Sequence, residues 1–448
     1  MQLKKTSIRN KLAIATSTLL LSSPIHSAET MTSAENNLNP PQNTKEDNFS
    51  ISGLYYSEND RVDVKKVHSK ITKQLNEDHI LRTDLIYDTM SGASPNGRIT
   101  AENTKIIENN LEFVTFTTAS GMTSTAANNS VEAEQKKWLT EFNDTRKAIN
   151  LEWEYKASRF ITTSLGIGTS HEDDYESYSG SGNIIFEFNQ KRSSLNFGSA
   201  ISNDTVKGSG IIPEGLGLLI CNDKSIRFNP DWLDCNTKPE FFKPAEKIVT
   251  DYMIGFTQVW NRRTVFQLNY SFSHEDGYLT DPYKQISIVS ASYGGESAVI
   301  YEKRPDTRNT KSLFFKFVNI PLEQVALNFS YRHFWDDWDI SAQTADGRLR
   351  INLSDKIYIQ GHGRLHRQSA AFFFTKQINI TENKPVYSSA DSRLGKLITA
   401  TAGAKVGVKF NDDIDVSARV EHMQQHYYDG ILPRMKVWIA QLILNMKF

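Results

Sequence analysis

Long apolar runs are missing from this chain of 448 residues, and its mean hydropathy is -0.47. No stretch is long enough to cross a bilayer as a helix, which excludes a helical membrane protein. An excess of either charge is missing too. The 51 basic and 52 acidic residues leave a net charge of -1, so there is no footprint for nucleic acid. Cysteine is nearly absent. Cys221 and Cys235 share one Gly/Pro/Asp-rich loop without His or Cys at metal-ligand spacing, and no Cys-x-x-Cys-His occurs. Neither a metal site nor a carried haem, nor any other cofactor, is therefore expected. In an exported chain such a pair suggests a disulfide, which would stabilise a loop of about 15 residues by roughly 3 kcal/mol. No linker divides the chain into soluble domains.

What is present begins with Lys4, Lys5, Arg9 and Lys11 ahead of an apolar run from Leu12 to Leu21, with Ser27 and Ala28 after it. This predicts a secretory signal peptide over 1–28. With no Cys nearby, a lipoprotein anchor is not expected. Residues 29–48, rich in Asn, Thr, Glu and Pro without periodicity, read as a disordered periplasmic leader. From 49 to 448 the organising pattern is period two, clearest at the end of the chain. Trp438, Ala440, Leu442, Leu444, Met446 and Phe448 alternate with more polar positions and share one face of a strand. A wholly apolar face closing on Phe448 resembles the last strand of Gram-negative outer-membrane barrels, in which the assembly machinery recognises that ending.

The same alternation recurs along the chain. Phe266, Leu268, Tyr270 and Phe272 oppose Gln267, Asn269, Ser271 and Ser273; Val325, Leu327, Phe329 and Tyr331 oppose Asn328, Ser330 and Arg332. Counted through, it predicts an all-β, transmembrane antiparallel barrel of about 16 strands, within the range 14–18. Long loops are expected at about 91–144, 204–246, 275–309 and 369–393, the first with a short helix near Val131 to Phe142. If both termini are periplasmic, every long loop is extracellular and every even-numbered connection is a short turn. Trp153, Tyr155, Tyr252, Trp260, Tyr331 and Trp335 near strand ends fit aromatic girdles.

With apolar faces turned to outer-membrane lipid, the opposite faces line the lumen and carry both signs of charge, among them Arg82, Glu152, Glu154, His362, Arg364, His366, Arg419 and Glu421. His362 and His366 lie two strand steps apart, about 13 Å, with Arg364 between them, so shared metal coordination is not expected. His333, Asp336 and Asp337 at the rim come without a nucleophile motif, so no enzyme is expected.

The loop ends carry polar-aromatic words: Asp88 to Pro95, Phe142 to Arg146, Gly277 to Lys284, Tyr301 to Asp306 with Arg308, Tyr331 to Trp338, Gln368 to Ala371 and Asp391 to Leu394. Seven in this order resemble an uncharacterised family of Gram-negative outer-membrane barrels, domain of unknown function 3570, over about Ile51 to Phe448. Phe372-Phe373-Phe374 departs from the Asp-Phe-Tyr type of sequence the resemblance implies there, leaving one lumen acid in question. The resemblance brings no substrate or reaction.

The candidate lumen or mouth cluster is Asp88, Asp144, Arg146, Asp281, Lys284, Arg304, Asp306, Arg308, Arg332, Asp336, His362, Arg364, His366, Gln368, Asp391 and Arg393. It reads either as an ion-pair network pinning loops over the mouth or as a ligand site, and the two are compatible. The expected function is a porin-like channel or small-solute binding barrel with a loop-constricted mouth, its partner a small hydrophilic solute. The first alternative is a scaffold for periplasmic or surface partners, a redox system among them; a surface-rim hydrolase ranks lower.

Overall fold

The computed structural model describes residues 47–59, 61–99, 138–208, 212–221, 233, 240–290, 296–428, 432 and 434–448. The expected signal peptide and most of the leader lie outside them, as does Cys235; Cys221 ends the short loop strand Leu218–Cys221.

Sixteen strands close into one antiparallel barrel. In chain order they are β1 (Asn48–Glu58), β2 (Val62–Gln74), β3 (His79–Pro95), β4 (Leu139–Tyr155), β5 (Ile161–His171), β6 (Tyr175–Phe188), β7 (Ser193–Val206) and β8 (Ala245–Asn261). They continue as β9 (Thr264–Gly277), β10 (Thr307–Leu322), β11 (Val325–Asp336), β12 (Ser341–Asn352), β13 (Ile357–Gln368), β14 (Leu397–Lys409), β15 (Ile414–Tyr427) and β16 (Met435–Lys447). Each pairs with the next, and β1 closes on β16 with Asn48 opposite Lys447. The backbone N–H of Phe448 donates to the Asp47 carbonyl at 3.1 Å, and Lys73 Nζ lies 5.8 Å from the centre of its ring.

Alternation sorts the side chains as the sequence predicts. Outward-facing Leu165, Ile167 and Leu442 are 59, 64 and 59 % exposed. A belt of such residues left in water would forgo about 25 cal/mol for every Å² of apolar surface, so lipid is its solvent. Trp153, His79 and Tyr155 stack near the turn end; His333 and Trp335 stack near the loop end.

All four long connections leave the same end of the barrel, opposite Asn48 and Lys447. The first three, at 96–138, 207–244 and 278–306, are shorter than expected because the strands run on past the apolar belt, and the fourth, at 369–396, ends three residues later than expected. Above the lipid nothing demands apolar residues on the outer face, so the pattern fades while the pairing continues. This also corrects the expected helix near Val131 to Phe142: Leu139–Phe142 is the start of β4, paired with Gly92–Pro95, and 131–137 lie outside the described residues.

Three of these loops build a cap with its own sheet. Gln285–Val289 pairs with Glu296–Tyr301, flanked by Leu218–Cys221 and Ile378–Asn379. Its core holds Ile286, Ile288, Ala298 and Ile300, all fully buried. A second apolar cluster, Trp338, Ile340, Ala371, Phe373 and Leu394, joins the cap to the rim of β11 and β12. The Phe372-Phe373-Phe374 departure is thus cap packing, with Phe373 edge-on to Trp338 at 5.1 Å.

Candidate functional site

The barrel interior has two layers. Near the turn end, inward side chains are buried charges meeting opposite charges. Arg82 donates to Glu152 at 2.6 Å and to Glu154 at 2.9 Å across the β3–β4 pair. His362 on β13 has Asp346 2.8 Å from Nε2 and Glu421 2.7 Å from Nδ1. Arg348 lies 3.5 Å from Asp346, Arg419 lies 3.4 Å from Glu421, and Arg350 stacks over Tyr358 at 3.6 Å. With Gln267, Asn269 and Lys405 also buried, these side chains form a polar core across the lower lumen. Charges are tolerated there because each is placed against a counter-charge or a hydrogen-bonding group.

At the loop end a second network ties the cap down. Arg304 lies 2.7 Å from Glu302 and 2.8 Å from Asp391; Arg393 lies 2.5 Å from Asp391 and 2.6 Å from Asp281. Lys284 Nζ donates to the Pro95 carbonyl at 2.5 Å, and Asp281 N–H donates to Glu302 at 2.8 Å. Glu302 also accepts from Ser389, and Arg98 pairs with Glu296. Gly97, at φ +99°, permits the close approach of this segment, since a Cβ there would lie 2.3 Å from the Gln285 carbonyl. Burial alone would raise Asp391, but Arg393, Lys284 and Arg304 hold its carboxyl well below the usual range. Burial raises Glu302, with Asp281 and Asp391 adding to the shift against the pull of Arg304.

Between these layers lies a cavity of about 1270 Å³, roofed by Thr280 to Lys284 and Asp391 to Leu394. One wall is acidic. Asp144, Glu172 and Asp174 present oxygens within 4.8 Å of one another, beside the Arg146–Asp88 pair at 2.7 Å. Burial raises Glu172 to about 7; Arg146 opposes this, and Asp144 and Asp174 reinforce it. Seven strands around, the other wall carries Arg332, Arg364 and His366. His366 Nδ1 is 2.8 Å from Thr344 Oγ1, and Gln368 donates to the Arg393 and Gly395 carbonyls at 2.8 and 3.0 Å, tying β13 to the cap.

The predicted cluster is therefore three groups. Asp281, Lys284, Arg304, Asp391 and Arg393 converge in the cap network. Asp88, Asp144, Arg146, Arg332, Arg364, His366 and Gln368 line the cavity, as does Arg308, which reaches Asp336 at 2.5 Å and lies 4.4 Å from the centre of the Trp338 ring. Two members stand apart from these groups: His362 lies in the lower lumen, six residues before Gln368 at the loop end of β13, and Asp306 is exposed and accepts from Gly277 N–H through its carbonyl at 2.9 Å. At the rim, His333 stacks on Trp335, Asp336 accepts from the Trp338 and Ile340 N–H groups, and Asp337 accepts from Asn309. Sequence reasoning missed Glu302, Glu296, Arg98, Glu172 and Asp174. Glu302 stood inside one of the seven words; the others had no local signal.

A closed antiparallel barrel with an apolar belt, short turns at one end and folded loops at the other defines an outer-membrane β-barrel protein. The chain matches the family described as Protein of unknown function (DUF3570) over residues 10–441 and belongs to it. No curated protein matches it. Among solved structures it is similar to a bacterial polysaccharide outer membrane secretin, at 9% identity and TM-score 0.43, covering 91% of this chain and 100% of the other. It is similar to the CymD monoaromatic hydrocarbon channel at 7% identity and TM-score 0.39, covering 96% and 94%. The siderophore receptor PirA from Acinetobacter baumannii gives 10% identity and TM-score 0.39, covering 86% of this chain and 54% of that receptor, so the chain spans about half the receptor's length.

Proposed function

We propose that this barrel takes a small hydrophilic solute from the outside into the vestibule beneath its cap and passes it inward through the polar lower layer. The observation that carries this reading is the vestibule itself: a cavity of about 1270 Å³ in which charged, hydroxyl and amide side chains are set among apolar ones such as Leu54, Ile86, Phe142 and Phe314, inside a barrel whose outer face is apolar. A chamber of that size holds a solute of ordinary metabolite dimensions. The buried ion pairs of the lower layer make passage selective or gated. Catalysis has no part in the reading, because the rim acids and His333 are engaged in turn, pairing and stacking contacts.

The packed lower layer also favours a second reading, a non-transporting scaffold whose cap and rim meet a partner. Single-channel recording of the purified protein in a planar bilayer separates the two. Small, stable conducting steps are the expected result. A folded barrel, verified by heat-modifiable mobility, that stays silent at every applied potential would overturn passage and leave the scaffold.

A further inference from the structure

We propose that the β11–β13 wall of the vestibule is an anion site, in which Arg332 and Arg364, supported by His366, receive a carboxylate or phosphate group of the solute. The proposal deepens the reading above and rests on it in one respect, that solute reaches the vestibule. Register assembles the site. Arg332, Thr344 and His366 stand directly across from one another on three consecutive strands, and Arg364 stands one inward position below His366. Neighbouring strands are about 4.8 Å apart and same-face neighbours about 7 Å, so the two guanidinium arms reach a common space. Each faces the same cavity, and Arg332 is within electrostatic reach of Arg364.

Their lack of a hydrogen-bonded or ion-paired partner is the informative feature. Among the described residues, neither arginine makes a hydrogen bond or an ion pair; Arg332 has only the Phe334 ring, 5.8 Å from its guanidinium carbon, whereas Arg82, Arg146, Arg308 and Arg419 are each paired with a carboxylate. Arg364 sits directly across from Asp346, the carboxylate that should neutralise it. Both Asp346 oxygens are engaged elsewhere, Oδ2 with His362 at 2.8 Å and Oδ1 with Arg348 at 3.5 Å. Glu421 is likewise held by His362 and Arg419. Asp346 and Glu421 act on Arg364 only through space, so two guanidinium groups that face one cavity without a direct ion pair favour an anion that joins them, and the planar fork of Arg suits carboxylate and phosphate oxygens. Thr344 turns the His366 ring by its contact with Nδ1, leaving Nε2 toward Gln368 at 3.5 Å, so an anion on this wall lies one side chain from the cap's tie to β13.

The test is calorimetric titration of the purified barrel with inorganic phosphate and, separately, succinate, against chloride at matched ionic strength, with swelling of proteoliposomes in neutral sugar read in parallel. Both oxyanions are expected to bind in preference to chloride. The R332Q/R364Q double variant should lose roughly tenfold or more in affinity, the scale of charge-assisted bonds. Arg332→Lys, which keeps the charge and loses the fork, should fall between and guards against a variant that fails to fold. Binding of phosphate alone or succinate alone supports the site and names its group. Oxyanions that bind no better than chloride, or equally well to the double variant, overturn it. Swelling without oxyanion binding overturns the anion site and leaves passage standing; oxyanion binding without swelling overturns passage and leaves the site as a capture pocket.

Discussion

The lower layer of the barrel interior and the vestibule above it are built from the same residue types and differ in how their charges are partnered. In the lower layer, Arg82 holds two glutamates and His362 sits between Asp346 and Glu421, all on adjacent or nearby strands where register brings them together. In the vestibule, like charges gather: three carboxylates on the β4–β6 side and two arginines on the β11–β13 side. A paired layer is a structural solution, since each charge satisfies another within the protein. A separated layer leaves field in the space between its walls, where a solute would stand, and such fields orient and select charged ligands. On the proposed reading, the sign and pairing of lumen charges, more than their number, distinguish the solute-facing part of the barrel from its structural part.

The largest expected effect comes from breaking the paired layer. Arg82→Met keeps most of the side-chain volume and leaves Glu152 and Glu154 together without their cation; removing one partner of such a buried group costs about 3–5 kcal/mol. Urea unfolding in detergent should register that loss, and an unchanged midpoint would mean the lower layer is solvated rather than packed. Breaking the cap network should cost less, because it lies in loops and has more than one tie. Asp391→Asn removes the carboxylate shared by Arg304 and Arg393, a loss of about 1–3 kcal/mol. Limited proteolysis should then cut within 278–306 or 369–396 while the barrel keeps its midpoint, and conducting steps should grow. Equal proteolysis of variant and parent would show that the apolar clusters alone hold the cap.

How much of this was legible in sequence follows from what each residue has to satisfy. The last strand could be read because lipid requires Trp438, Ala440, Leu442 and Leu444 on one face, and that requirement is local and periodic. The upper halves of the strands could not: Leu139 to Asn143 pairs with β3 above the belt, where either face tolerates polar residues. The first half of β6 carries no such signal: Tyr175 to Gly182 looks like a Gly/Ser loop, although it is paired throughout with β7. The cap sheet escaped notice because Ile286 to Val289 is too short to set a period and is buried on both faces. Of the candidate site, the residue types and their place at the loop end were readable. Their pairing was not, since Arg304 and Asp391 are 87 positions apart and meet only once two loops fold together.

The smallest expected effect, and the one that bears most directly on the separated layer, concerns Glu172. Its carboxyl is raised from 4.5 to about 7 by burial, with Asp144 and Asp174 adding to the shift against Arg146. It therefore ionises in the folded protein over a range in which an ordinary glutamate is already charged. The sign for stability follows by linkage: the contribution is fully present below 4.5 and is lost as pH rises through about 7, because the folded state binds the proton more tightly than the unfolded one. The sign for function is the same proton seen from the cavity. Between pH 6 and 8 the acidic wall gains negative charge while Arg332 and Arg364 keep theirs, so the reversal potential in a salt gradient should move toward cation preference. Glu172→Gln should flatten that shift without closing the channel. If the shift persists in the variant, the titrating group lies elsewhere, and the contrast between the acidic and basic walls does not govern selectivity.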